Sequence, residues 1–166
     1  FNLMTILCDR IENVSHCLSE ATTIDETTGL CNRRSFQSQL EAEINRSRRY
    51  DCPLTLCLFR FNSPELVQVV ADPSGGDGNL QQVATRITRD LRRCDTLGRI
   101  DTHTFALLMP QTPLHSARGI CQRMQQLVAQ GEDRLDFAYG LAELEEADRE
   151  NGHELLDRAV PTLPET

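Results

Sequence analysis

Apolar residues recur along the chain at two spacings, which predict helices and strands in alternation. Helical spacing predicts three long helices, with apolar faces at Phe36, Leu40 and Ile44, at Leu80, Val83, Ile87 and Leu91, and at Ala117, Cys121, Met124 and Val128. Short apolar runs predict strands at Leu54–Phe61, Thr96–Ile100, Phe105–Met109 and Leu135–Ala142. Asn79 is the expected N-cap of the second helix, and shorter helices are expected near Pro64 and before Pro161. This order predicts one mainly antiparallel sheet covered by helices on one face.

A further amphipathic helix is predicted at the N-terminus, over residues 1–23. Its apolar positions alternate at three and four residues, as in a heptad seam: Met4, Leu7, Ile11, Val14, Leu18 and Ala21. The favoured interpretation is the end of a parallel coiled-coil stalk, which makes the chain a homodimer and joins it to an upstream sensory module. The alternative is a helix that packs on its own domain. A chain that opens on Phe1 rather than Met fits a piece of a longer protein.

Composition narrows the class of protein. The 166 residues, 39% hydrophobic and 25% charged, suit one globular domain. The net charge of −8 argues against a nucleic-acid partner, and all 17 basic residues are Arg. No apolar run is long enough to span a membrane, so any attachment to a membrane or sensor is expected outside this chain. Seven cysteines without metal-ligand spacing predict reduced, mostly buried thiols and a cytoplasmic location.

Residues 25–34 carry the first part of a family resemblance. They read DETTGLCNRR and match the D-E-L-T-G-L-Y-N-R-R entrance of GGDEF domains at eight of ten positions, departing at Thr27 and Cys31. GGDEF domains make cyclic di-GMP from two GTP molecules. The resemblance implies an α/β (α+β) fold over residues 24–166, similar to nucleotide cyclases and polymerase palms. Its central, mainly antiparallel sheet is expected to have five strands flanked by helices.

The catalytic hairpin of that family is altered here. It should read Gly-Gly-(Asp/Glu)-Glu-Phe, and this chain has Asp101, Thr102, His103 and Thr104 before Phe105. Two turn glycines and two acidic residues, one of them a metal ligand, are therefore missing. An Asp101–His103 pair could rebuild a metal site, but a solvated loop is the favoured interpretation.

Other catalytic positions that the resemblance implies have also changed. Arg60 stands at the position of the family's metal-binding Asp, at the end of the first strand, and its positive charge would repel a metal ion. The second Asp of that strand, the phosphate-contacting Lys and the guanine-reading Asn fall at Asn62, Glu65 and Gln68, while Asp77 is retained. The sequence therefore predicts a degenerate, inactive diguanylate cyclase domain with no metal and no cofactor.

The product-binding inhibitory site of the family, by contrast, is present in sequence. Arg92 and Asp95 form an R-x-x-D turn at the family's five-residue offset from the hairpin, and Arg123 lies 18 residues beyond Phe105 at the position of a further binding Arg. Arg93 is expected to assist them. Arg can donate two hydrogen bonds to guanine N7 and O6, and a carboxylate can accept from guanine N1 and N2, which excludes adenine. The alternative is that Arg92 and Asp95 only form a local salt bridge that ends a helix.

The resulting hypothesis is a bacterial, non-catalytic receptor that binds cyclic di-GMP, as one molecule or an intercalated pair, and regulates an unknown protein partner. Two other hypotheses stay open. One is a dimerisation or docking module without a ligand, and the other is a GTP-binding regulator with residual cyclase activity that uses Gln68 and Asp77.

Overall fold

The computed structural model describes residues 22–61, 77–130, 136–145 and 151–160, with no side-chain description for 77–79. Its helices are α1 (Arg33–Tyr50), α2 (Asp77–Asp90), α3 (Leu114–Ala129) and α4 (Gly152–Ala159). Its strands are β1 (Leu54–Phe61), β2 (Thr96–Arg99), β3 (Thr104–Pro110) and β4 (Phe137–Glu143). The predicted stalk, except for its last two residues, and the short helix near Pro64 lie outside the described residues.

The strands form one antiparallel sheet in the order β2-β3-β1-β4. The described part of the chain therefore contains four strands, where five were expected. Strand β1 lies in the centre, so its run Leu54–Phe59 is buried throughout. Strand β2 is short and lies at one edge, and it joins the R-x-x-D turn directly to the altered hairpin.

Helices cover both faces of the sheet, and the expectation of a single covered face is wrong. Side chains alternate across β1, so Cys57 and Phe59 pack with α2 and α3, whereas Leu56 and Leu58 pack with α1 and α4. A strand buried on both faces reads as a continuous apolar run rather than as an alternating one. The central run LTLCLF has this character.

Side-chain caps fix two helix ends. The Asn32 side chain accepts the backbone N–H of Ser35 at the start of α1, and Asn151 and Glu154 form a capping box at the start of α4. Asn79, by contrast, lies inside α2, which begins at Asp77, so its predicted role as an N-cap is wrong.

The five described cysteines are free thiols. Cys57 and Cys121 are fully buried between β1 and α3, with their sulfurs 3.4 Å apart. Cys31 and Cys52 are half-buried and Cys94 is exposed, so the prediction that most cysteines are buried fails for this set. No described helix is long and apolar enough to cross a membrane.

Candidate functional site

The β2–β3 hairpin is closed by its own side chain at Asp101. The Asp101 Oδ1 atom accepts the backbone N–H groups of His103 at 2.9 Å and of Thr104 at 2.8 Å. The backbone N–H groups of Ile100 and Asp101 both donate to the Thr104 carbonyl, at 2.9 and 3.3 Å. The residue that replaces the first expected glycine therefore stabilises the turn.

Electrostatics also favour the ionised form of Asp101. Burial alone would raise the pKa of this carboxyl, but the N–H bonds from His103 and Thr104 and the nearby Arg60 charge outweigh it and lower the pKa. The Oδ1 atom of this carboxylate thus serves to close the turn. Within residues 22–61, 77–130, 136–145 and 151–160, no three His, Cys, Asp or Glu side chains are grouped to hold a metal ion.

Arg60 occupies the end of β1, directly opposite Thr104 of β3. Its Nη2 atom donates to the Thr104 hydroxyl at 3.3 Å, and its buried Nε atom has no hydrogen-bond partner. Arg60 and Thr104, both positions where the family resemblance implies an acidic residue, are therefore in contact here. The result is a cationic strand end.

Arg99 connects the hairpin to the segment before α1. Its Nη1 atom lies 3.2 Å from Asp25 Oδ1, and its Nη2 atom donates to the Thr102 carbonyl at 3.1 Å. Asp25 also accepts the N–H and hydroxyl of Thr28 in the turn that Gly29 closes with a φ of 71°. The DETTGLCNRR segment therefore has a structural role: it holds the strand that carries both predicted sites.

The R-x-x-D turn lies at the other end of β2, about 20 Å from the hairpin at ~3.3 Å per residue. Its conformation is fixed by two hydrogen bonds, in which the Arg92 N–H donates to Asp95 Oδ2 at 3.0 Å and the Asp95 N–H donates to the Arg92 carbonyl at 3.1 Å. The local salt bridge considered from the sequence is not formed between these two side chains. Asp95 contacts the Arg92 backbone, and the Arg92 side chain is exposed.

Arg123 is brought near this turn by helix packing. Helices α2 and α3 lie side by side on one face of the sheet, and Arg123 Nε is 3.7 Å from Asp90 Oδ2 at the last residue of α2. Asp90 precedes Arg92 by two residues. The three positions predicted from sequence offsets therefore lie in one region, and Arg93 is exposed in the same turn.

Asp95 is half-buried, and its environment changes its acidity. Burial raises the pKa of Asp95 above its ordinary value, and the Arg92 N–H bond and charge offset this effect only in part. An ionised carboxylate has about four acceptor positions, and the Arg92 N–H occupies one of them. Acceptor positions thus remain for a ligand.

A cleft beside the turn was not predicted from the sequence. It measures about 520 Å³ and is formed where the end of α1, the start of β1, the end of β3 and the R-x-x-D turn meet. Its walls come from residues far apart in the chain, so no local motif indicates it. Its lining includes Cys52 from the α1–β1 connection and Cys94 from the R-x-x-D turn.

Four catalytic positions that the resemblance implies lie outside the described side chains. Asn62, Glu65 and Gln68 lie outside the described residues, and Asp77 is described only through its backbone at the start of α2. The structure therefore describes no side chain at the positions where the resemblance implies guanine recognition.

Comparison with known proteins matches this arrangement to one family. The family model described as "Diguanylate cyclase, GGDEF domain" matches residues 22–163. The response regulator PleD of Caulobacter vibrioides is 29% identical over 117 residues, which cover 70% of this chain and 26% of PleD. The chain thus spans about a quarter of that relative's length.

Solved structures agree in fold. The diguanylate cyclase SiaD of Pseudomonas aeruginosa, in complex with its activator SiaC, superposes with a TM-score of 0.74 at 25% identity, covering 96% of this chain and 64% of SiaD. The GGDEF domain of DgcB from Caulobacter crescentus, in complex with c-di-GMP, gives 0.70 at 20% identity, covering 82% of each chain. The palm-like α+β fold and the family-model match lead to one conclusion: the chain belongs to the GGDEF domain family.

Proposed function

We propose that this GGDEF domain is a non-catalytic receptor that binds cyclic di-GMP at the R-x-x-D turn. The observation that carries the proposal is the convergence of Arg92, Asp95 and Arg123 at the junction of α2, α3 and β2. The Arg92 guanidinium pairs with guanine N7 and O6, and Asp95 accepts from guanine N1 and N2. Arg123 and Arg93 offset the charge of the two ligand phosphates.

The Asp90–Arg123 ion pair supports this role for Arg123. Its distance of 3.7 Å is long, and the Arg123 side chain is 62% exposed. Exposed pairs of this kind contribute only about 0–1 kcal/mol, so the guanidinium can rotate towards a phosphate at little cost. In the ligand-free domain, the ion pair with Asp90 keeps the Arg123 side chain close to the turn.

The altered hairpin supports the absence of cyclase activity. Phosphoryl transfer from GTP requires Mg²⁺ held by carboxylates next to the phosphates. Arg60 supplies a positive charge at the strand end, and the Asp101 carboxylate is bonded to its own turn. The proposal therefore assigns regulation, and not synthesis, to this domain. The partner is an unknown protein, and residues 1–23 are proposed to dimerise the chain.

Incubation of the domain with GTP and either Mg²⁺ or Mn²⁺ is expected to yield no cyclic di-GMP. The reason is that Arg60 occupies the strand end, where the family resemblance implies a metal-binding carboxylate. Chromatography of the nucleotides, with an active GGDEF cyclase run in parallel, measures this. Product above the level of an enzyme-free control would favour the rival hypothesis of residual cyclase activity, with Gln68 and Asp77 as the guanine-binding residues.

Binding is expected to weaken as the pH falls from neutral, because protonated Asp95 cannot accept from both guanine donors. The raised pKa of Asp95 means that the loss begins at a higher pH than for an ordinary Asp. Below that pKa the affinity falls by up to about tenfold per pH unit. Titration calorimetry across this range measures the slope.

The matched variants are Asp95→Asn, which should remove this pH dependence and weaken binding, and Asp101→Asn, which should keep it. The lowered pKa of Asp101 places its own titration at more acidic pH. An unchanged slope in Asp95→Asn would assign the proton to another group and contradict the role of Asp95.

A further inference from the structure

Two thiols from distant parts of the chain line the cleft beside the R-x-x-D turn. Cys52 lies in the connection between α1 and β1, and Cys94 lies in the turn itself, between Arg93 and Asp95. Neither belongs to a helix or a strand, but both lie in hydrogen-bonded connections. The Cys52 N–H donates to the Ser47 carbonyl at 3.1 Å, and the hydrogen bonds between Arg92 and Asp95 close the turn around Cys94. The cleft therefore brings together two cysteines that lie outside the regular elements.

Both thiols are accessible from solvent, to different degrees. Cys94 is exposed and Cys52 is half-buried. The Cys52 Sγ atom is 3.4 Å from the Tyr50 carbonyl, and the Cys94 Sγ atom is 3.9 Å from Asp95 Oδ1. The second contact places a thiol against the carboxylate that is proposed to read guanine.

The buried pair Cys57 and Cys121 provides a contrast inside the same domain. Their sulfurs are 3.4 Å apart, but both residues are 0% exposed. Burial raises the pKa of the Cys57 thiol well above its ordinary value, and the adjacent Cys121 raises it further. The thiolate is the reactive form and an oxidant must reach it, so access and not proximity decides which cysteines react.

We propose that Cys52 and Cys94 form a reversible disulfide that closes the cleft and switches off the ligand site. Hydrogen peroxide is the oxidant. It converts the Cys94 thiol to a sulfenic acid with release of one water, and the Cys52 thiol then displaces the hydroxyl as a second water while the S–S bond forms. The two thiols lose two electrons and two protons in total, and a dithiol reductant returns them.

The effect on binding follows from the position of Cys94. A disulfide requires the two Cα atoms to lie within about 7 Å of each other, so the turn must be held against the α1–β1 connection. Cys94 is adjacent to Asp95 and two residues from Arg92, whose mutual hydrogen bonds define the turn. Pulling Cys94 across the cleft therefore displaces both base-reading groups.

Peptide mapping without reduction tests the disulfide directly. Trypsin releases Cys52 in residues 50–60, Cys94 in residues 94–99 and Cys121 in residues 119–123. Peroxide treatment is expected to link the first two peptides and to leave the third unlinked. Cys57 shares the first peptide, so Cys52→Ser must abolish the link and Cys57→Ser must retain it. A link between residues 50–60 and 119–123 in its place, or no link at all, would overturn the proposal.

The consequence for binding rests on the proposed function and is measured separately. Oxidised wild-type protein is expected to bind cyclic di-GMP at least about tenfold more weakly than reduced protein. A change of this size corresponds to the loss of one bidentate contact to a base. Cys52→Ser, treated identically, should bind like reduced wild type. Equal affinity of oxidised and reduced protein, with the cross-link present, would refute the switch. Failure of the reduced protein to bind would refute the proposed function and leave the cross-link result standing.

Discussion

Replacement of Arg92 by alanine is expected to weaken cyclic di-GMP binding by roughly 5- to 150-fold, the equivalent of ~1–3 kcal/mol for a bidentate guanidinium–guanine contact. The Arg92 side chain is exposed, and the turn is held by the Arg92 backbone, so the variant should fold normally. Titration calorimetry measures the affinity, and a thermal melt confirms the fold.

Arg33→Ala is the matched control for this variant. It removes the same charge from an exposed position at the first residue of α1, whereas the α1 residues that line the cleft with Cys94 lie in the last two turns of that helix. Gln39, whose side chain accepts the Thr96 hydroxyl next to the turn, is already six residues, or roughly 9 Å, further along α1 than Arg33. Equal losses in both variants would indicate general electrostatic attraction and would contradict a specific site at the turn.

Replacement of Gly98 by valine is expected to destabilise the domain by about 3 kcal/mol, at the upper end of overpacking effects. A Cβ atom at Gly98 would lie 2.6 Å from Cδ2 of the fully buried Phe36 ring and 3.1 Å from the Cys31 carbonyl. Neither neighbour is the free end of a flexible side chain. Strand β2 must therefore move away from α1, with the turn and the hairpin at its two ends.

Gly119→Ala serves as the comparison. No atom lies within 4 Å of a Cβ at Gly119, which is an exposed position of α3, so alanine should stabilise that helix by roughly 0.5–1 kcal/mol. Melting temperatures should move in opposite directions, with Gly98→Val lower by roughly 6–12 °C. A Gly98→Val melting temperature equal to that of wild type would show that β2 does not pack on α1 as described.

The sequence was most informative where local pattern alone sets the structure. Strand β1 has the predicted bounds Leu54–Phe61, because a run of apolar and β-branched residues with no Gly or Pro specifies a buried strand. The buried face of α1 is likewise the predicted one, because Phe36, Leu40 and Ile44 recur at helical spacing.

Errors occurred where several elements decide the outcome together. The continuous apolar run Leu54–Phe59 is typical of a strand buried on both faces, so it was inconsistent with the predicted placement of all helices on one face. Asn79 has the chemistry of an N-cap, but capping competes with continuation of the helix, and α2 starts at Asp77.

In the candidate site, too, the positions given by local motifs were predicted, and the features built from several segments were not. Fixed offsets from Phe105 indicated Arg92, Asp95 and Arg123, and helix packing brings Arg123 next to Asp90. The role of Asp101 as a cap of its own hairpin depends on backbone geometry, and the cleft depends on four separate segments. Neither has a motif by which the sequence alone could reveal it.

The most direct test is a calorimetric titration of the reduced wild-type domain with cyclic di-GMP and, in parallel, with cyclic di-AMP. A saturable signal at micromolar concentration with the guanine dinucleotide, and none with the adenine dinucleotide, is the predicted result, because Arg92 and Asp95 match only the guanine edge. No heat with either ligand would contradict the account and would favour a dimerisation or docking module that acts without a ligand.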